Sequence, residues 1–148
     1  MRSRPQVRTL SKAQHLVSLW SGTLMIALSI FVFATMPEKS AQRIDPSAYS
    51  ETTSLLFWKL GHVLGFALFA GSLTLTISAT IGQHIPNFRT QIAAIFVALA
   101  VAATTEILQI FIPGRTPRVL DVGFDMVGAL IGIWFAVKWR KTTNRKRA

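Results

Sequence analysis

Four apolar blocks, each long enough to cross a hydrocarbon layer, limit what this chain can fold into. They cover about 16–36, 55–81, 92–112 and 121–137. A helical span needs roughly 20 mostly apolar residues, and in lipid only a helix or a closed barrel satisfies its own backbone. The apolar residues come in long runs, not in the spaced pattern of a soluble amphipathic helix. The sequence therefore predicts an all-α, polytopic membrane protein: a four-transmembrane-helix bundle forming one domain in 148 residues.

The first block follows a basic head, so a signal peptide has to be weighed. Its run of about twenty residues exceeds the roughly 7–15 of a signal core and is long enough to span. It reads as a retained span. An even number of spans puts both termini on one side. Arg2, Arg4, Arg8 and Lys12 precede the first block, and Lys138, Arg140, Lys141, Arg145, Lys146 and Arg147 follow the last, with no acid at either end. Basic flanks mark the cytoplasmic side, so both termini are expected in the cytoplasm of a multi-pass protein of the inner or plasma membrane. All six acids then lie on or toward the other face. The expected organisation is a basic cytoplasmic segment over 1–15, a membrane domain over 16–137 and a basic cytoplasmic tail over 138–148.

The net charge of +10 invites a nucleic-acid reading. The cations are gathered beside spans and no recognition motif accompanies them, so nucleic acid is not an expected partner. The chain has no cysteine, which removes disulfides, thiolate metal sites and a Cys nucleophile. No cofactor is expected. Between the first two spans, 37–54 reads as a polar loop with Pro37 and Pro46 at its breaks, and Tyr49 and Trp58 as interfacial anchors. His15 and His84 are assigned no chemistry. Gly61 and Gly65 form a small-xxx-small pair suited to close helix packing, which also leaves a homo-oligomer open.

The polar residues are concentrated. Lys59 and His62 lie near the outer end of the second block, Glu106 and Gln109 near the outer end of the third. Arg115 and Arg118 occupy the turn after Pro113-Gly114, and Asp121 and Asp125 open the fourth block. All fall within a turn or two of one membrane boundary. Ionisable groups there are costly and need partners or a task. Glu106 is six residues below Ile112, on the order of 9 Å along a helix, too deep to snorkel. Lys59, His62, Arg115 or protonation could each satisfy it. Asp121, Asp125, Gly128 and Gly132 follow one helical stripe, acidic at its mouth and glycine-lined below. The plain alternatives are that Asp121 caps the fourth helix, that Arg115 pairs with it, and that Lys59 snorkels to headgroups. The shared depth of all these groups favours one polar site formed by Lys59, His62, Glu106, Gln109, Arg115, Asp121 and Asp125.

At these residues the chain resembles the VanZ-like family, named after a teicoplanin-resistance protein. The family pattern is Lys-x-x-His, then Glu-x-x-Gln, a Pro-Gly-Arg turn, an Asp six positions on, an Asn four later and a Gly three after that. Lys59, His62, Glu106, Gln109, Pro113-Gly114-Arg115, Asp121 and Gly128 match it, and the resemblance covers about Phe57 to Phe135. Two positions depart: Asp125 stands for the Asn, and Trp58 for an Asp that often precedes the Lys. The resemblance implies a cell-envelope membrane protein with a link to glycopeptide resistance, and no defined reaction.

Three functions compete. The first is binding or modulation of a lipid-linked envelope component or phospholipid headgroup, with cations on phosphate and acids on amines or hydroxyls. The second is a membrane enzyme with Glu106 or Asp121 as base and His62 as acid or base. Catalysis stays undecided, with binding favoured. A metal version would need His62, Glu106, Asp121 and Asp125, without any tight ligand motif, so no metal is expected. The third is a transporter, for which four spans are few.

Overall fold

The structure, a computed structural model, describes residues 11–36, 51–113, 115 and 117–146, with 51–57 as backbone only. Four helices follow in order: α1 (Lys12–Thr35), α2 (Glu51–Thr80), α3 (Phe88–Gln109) and α4 (Val119–Arg145). No strand occurs among the described residues. The helices run antiparallel in succession. Each is long and apolar enough to cross a membrane.

The helix ends depart from the hydropathy blocks because capping, not hydropathy, sets them. α1 starts at Lys12, ahead of the expected 16, because Ser11 and Gln14 make a reciprocal capping box. α2 begins at Glu51, inside the stretch expected as loop; Pro37, Pro46 and Tyr49 lie outside the described residues. α2 stops at Gly82, whose φ of +72° suits glycine in the αL position after a helix. The Gln83 amide closes back on the Ser78 carbonyl at 2.7 Å. α3 starts at Phe88 instead of 92 because the Asn87 side chain accepts from the Thr90 amide at 2.9 Å. α4 runs past Val137 to Arg145. Lysine and arginine are good helix formers and suit a helix C-terminus, so the end of the apolar block does not end the helix.

α2 is central and touches the other three helices, while α1 and α4 do not meet among the described residues. The closest approach is α2 on α4. A Cβ at Gly128 would collide with the Val63 carbonyl, and one at Gly132 with the Ala67 carbonyl. Such contact needs glycine at the crossing. Gly61 and Gly65, expected to pack helices, face Phe33 and Ile30 of α1 at ordinary or slightly tight distances. Phe66, Phe69, Ala70 and Leu73 of α2 form the core with Ala94, Ala98 and Ala102 of α3 and Ala129 and Ile133 of α4. The thin alanine face of α3 lets the phenylalanines fill the space between helices.

α1 is held by hydroxyls. Thr23 Oγ1 lies 2.7 Å from Ser72 Oγ and 2.9 Å from Thr76 Oγ1. One turn nearer the N-terminus, the Trp20 indole donates to Thr80 Oγ1 at 3.1 Å. Between apolar helices, such bonds supply specificity that burial cannot. Large apolar side chains point outward along every helix, among them Leu24, Leu28, Leu64, Leu68, Phe96 and Trp134. An apolar surface on all sides of a bundle of long apolar helices belongs in lipid. This is a multi-pass membrane protein.

Candidate functional site

The antiparallel order brings the C-terminal ends of α1 and α3 beside the early turns of α2 and α4. That end of the bundle is the polar end. His62, one turn beyond Trp58 and Lys59, reaches across to α4, where its Nδ1 lies 2.8 Å from Asp125 Oδ1. Asp125 has no exposed surface. With the carboxylate accepting, Nδ1–H donates, which leaves Nε2 to act as an acceptor. The charges of Asp121 and Glu106 also bear on this imidazole.

Glu106 sits in the last turn of α3 and is 8% exposed. Its partner is none of the side chains expected from sequence. Oε2 accepts from the backbone N–H of Arg118 at 2.6 Å. Arg118 is the N-cap of α4, and its own side chain makes no cap hydrogen bond. In a capping box, a glutamate three residues into the helix bonds the N-cap amide. Here that position holds Asp121, and the glutamate comes from the neighbouring helix instead. Asp121 therefore does not cap α4; it sits in the first turn, where its charge faces the positive end of the helix dipole. Glu106 Oε1 and Asp125 Oδ2 are both buried without a hydrogen-bond partner among the described residues.

A second group forms the rim. Arg115 Nε donates to the Met36 carbonyl at 3.0 Å and Nη2 to the Phe33 carbonyl at 3.3 Å. These carbonyls lie at the C-terminal end of α1, the negative end of its dipole, where the Phe33 carbonyl also accepts from the Met36 N–H. The guanidinium also lies over the Trp58 ring at 4.6 Å, and Trp58 packs on Phe33 at 4.5 Å. No ion pair joins Arg115 to Asp121, so the simple turn-fixing pair considered from sequence is replaced by a bridge to α1. Lys59 places Nζ 4.9 Å from the Phe124 ring centroid and forms no ion pair among the described residues. Gln109 is buried at the end of α3.

A cavity of about 360 Å³ opens below the rim between α1, α2 and α3. His62 and Phe33 line one end of it; Ile26, Ile30 and Leu68 line its apolar depth, and Thr105 is part of the wall. From Gly61 to Leu68 the slot follows α2 for about 10 Å at 1.5 Å per residue. Sequence reasoning assigned α1 no part in the site. Phe33 and the Phe33 and Met36 carbonyls carry no polar side-chain signal, so nothing in the pattern could have pointed to them. Among the described residues, no three His, Asp or Glu side chains are grouped to hold a metal ion.

A VanZ/LLP1 family model matches residues 5–140, a stretch that includes α1, α2, α3 and most of α4. The chain belongs to the VanZ/LLP1 family. No curated protein and no solved structure matches it. In this VanZ/LLP1 chain, the Lys-x-x-His element supplies the histidine of the buried pair. The Glu-x-x-Gln element supplies the trans-acting cap of α4, and the Pro-Gly-Arg turn supplies the arginine that ties α1 down. The family's usual Asn position holds Asp125, the carboxylate bonded to His62. Trp58, in place of the Asp that often precedes the Lys, carries the Arg115 guanidinium.

Proposed function

We propose that this VanZ/LLP1 protein sits in the inner or plasma membrane with both termini in the cytoplasm, and binds or modulates a lipid-linked cell-envelope component at its extracytoplasmic end. Residues 16–137 would form the working unit between two basic cytoplasmic ends. The observation that carries this reading is the buried His62–Asp125 pair, beside Glu106, at the wall of an apolar slot. An amphiphile fits that combination: a chain in the slot and a polar head at the rim. The unpaired carboxylate oxygens and His62 Nε2 are acceptors, so the head brings hydroxyl or amine donors, with Lys59 and Arg118 available to phosphate. Arg115 is engaged with α1 and supports the site by position. Lys59, His62, Glu106, Gln109, Asp121 and Asp125 form the proposed site with it.

The test compares lipids that co-purify with the native chain and with the His62→Ala and Lys59→Ala variants, alongside glycopeptide sensitivity of cells carrying each. A species lost from both folded variants supports the reading; unchanged lipid profiles and sensitivity remove it. Reporter fusions at Ala148 and within 37–50 check the orientation.

A second reading rests on the same pair. An imidazole held at Nδ1 by a buried carboxylate and left with Nε2 as acceptor is suited to general base work. Glu106 and Asp121 would be the other acid–base candidates. Turnover of a lipid-linked substrate that disappears in both His62→Ala and Asp125→Ala would favour this enzyme reading over binding alone.

A further inference from the structure

We propose that the groove between α1 and α4, which runs from the middle of the bundle toward the end away from the polar site, binds one acyl chain of an anionic phospholipid whose headgroup is held by the basic end of α4. Because α1 and α4 do not touch among the described residues, a strip of α2 is left uncovered between them. The resulting groove has a volume of about 520 Å³. Leu64, Leu68 and Leu75 are on its floor, and Leu19 lines the α1 side. Trp134 and Trp139 line the α4 side.

Its length matches one leaflet. From Leu64 to Leu75 a helix rises about 16 Å, close to half of a roughly 30 Å hydrocarbon core. Its lining reaches Trp139, at the charged end of α4. Lys138 Nζ lies 4.6 Å from the Trp134 ring centroid, so a cation sits on the groove wall itself. Arg140, Lys141, Arg145 and Lys146 follow, and no acid occurs after Asp125. Lys12 lies at the same end, since Trp20 bonds Thr80 there. Tryptophan belongs where chain meets headgroup, and cations beside it prefer anionic lipid.

Charge selects the occupant. A second copy of the chain in the same membrane orientation would bring an identical block of cations to this end. A zwitterionic lipid would fill the groove without answering the charge. An anionic phospholipid does both.

The experiment uses the full chain in phosphatidylcholine vesicles and reads tryptophan quenching by a low mole fraction of acyl-brominated phosphatidylglycerol or acyl-brominated phosphatidylcholine. Each surface cation is worth roughly a fivefold preference for anionic lipid. The brominated phosphatidylglycerol should quench several-fold beyond its mole fraction, and the excess should shrink as salt is raised. The excess should fall in Trp134→Phe/Trp139→Phe, which removes the two reporters in the groove wall and leaves Trp20 and Trp58. It should fall by an order of magnitude in Lys138→Gln/Lys141→Gln, with quenching by brominated phosphatidylcholine unchanged. Equal quenching by the two lipids overturns the proposal. So does quenching that drops with protein concentration while a Leu68→Cys variant cross-links to itself, which would assign the groove to a second copy.

Discussion

Asp125, fully buried on α4, accepts from the Nδ1 of His62 on α2 at 2.8 Å, one helical turn toward the polar end from the point where Gly128 lies against the Val63 backbone. The polar contact and the closest packing of the bundle therefore belong to one interface, and the glycine approach helps bring the carboxylate within reach of the ring. Replacing Asp125 by leucine should destabilise the protein by about 1–3 kcal/mol, the cost of leaving a buried polar partner unsatisfied. Asp125→Asn, the usual family residue, keeps an acceptor for Nδ1–H and should cost less than half as much. Thermal unfolding of the purified variants in one detergent measures the difference; equal losses would mean that charge, not the hydrogen bond, holds the pair.

Glu106 separates a structural role from a chemical one. Its Oε2 takes the Arg118 amide, a bond that a neutral amide side chain can also accept. Glu106→Gln should keep the α3–α4 turn and unfold within about 0.5 kcal/mol of the native chain, whereas Glu106→Ala should lose about 1 kcal/mol, as for a removed helix cap. If the glutamine variant is stable yet loses the co-purifying lipid, the carboxylate serves the ligand. Should glutamine destabilise as much as alanine does, the cap explanation fails.

These two pairs show where sequence reading reaches and where it stops. The four helices were legible because a hydrocarbon solvent demands uninterrupted apolar runs, and the depth of Lys59, His62, Glu106 and Asp121 followed from counting along them. Helix ends were less so: Ser11 and Asn87 set them through hydrogen bonds, and the basic turns of α4 stay helical after hydropathy has ended. The partner of Glu106 was hidden because it is a main-chain amide, which every residue except proline carries. The contribution of α1 was hidden for the same reason, since Arg115 binds two of its carbonyls.

The glycines of α4 are not equivalent. Gly123 has open space where a Cβ would go, while Gly128 and Gly132 face α2 backbone. Gly123→Ala should stabilise α4 by about 0.4–1 kcal/mol, since alanine is the better helix former. Gly132→Ala, by contrast, forces α2 and α4 apart and should abolish the monodisperse folded peak in size-exclusion chromatography. A well-folded Gly132→Ala protein would contradict the packing of α2 on α4.

Arg115 is the link between the turn and α1, and lysine cannot replace it. The guanidinium spans the Phe33 and Met36 carbonyls while its face lies over Trp58; an ammonium has neither the planar fork nor the stacking face. α1 is otherwise joined to the bundle by polar bonds mainly near its other end, through Thr23 and Trp20. Arg115→Lys should therefore loosen the C-terminal half of α1 selectively. Hydrogen exchange over 30–36 should speed up by about tenfold, the equivalent of roughly 1.4 kcal/mol, while exchange over 18–24 stays as it is. Thr23→Val should give the reverse pattern, with a smaller change of about 0.6 kcal/mol for an interhelical hydroxyl bond. Because Ile30 and Phe33 wall the cavity that ends at His62, the arginine variant should also alter the lipid that co-purifies. Uniform acceleration along the whole of α1 in Arg115→Lys would show that the helix moves as one body and that its C-terminal end has no separate latch.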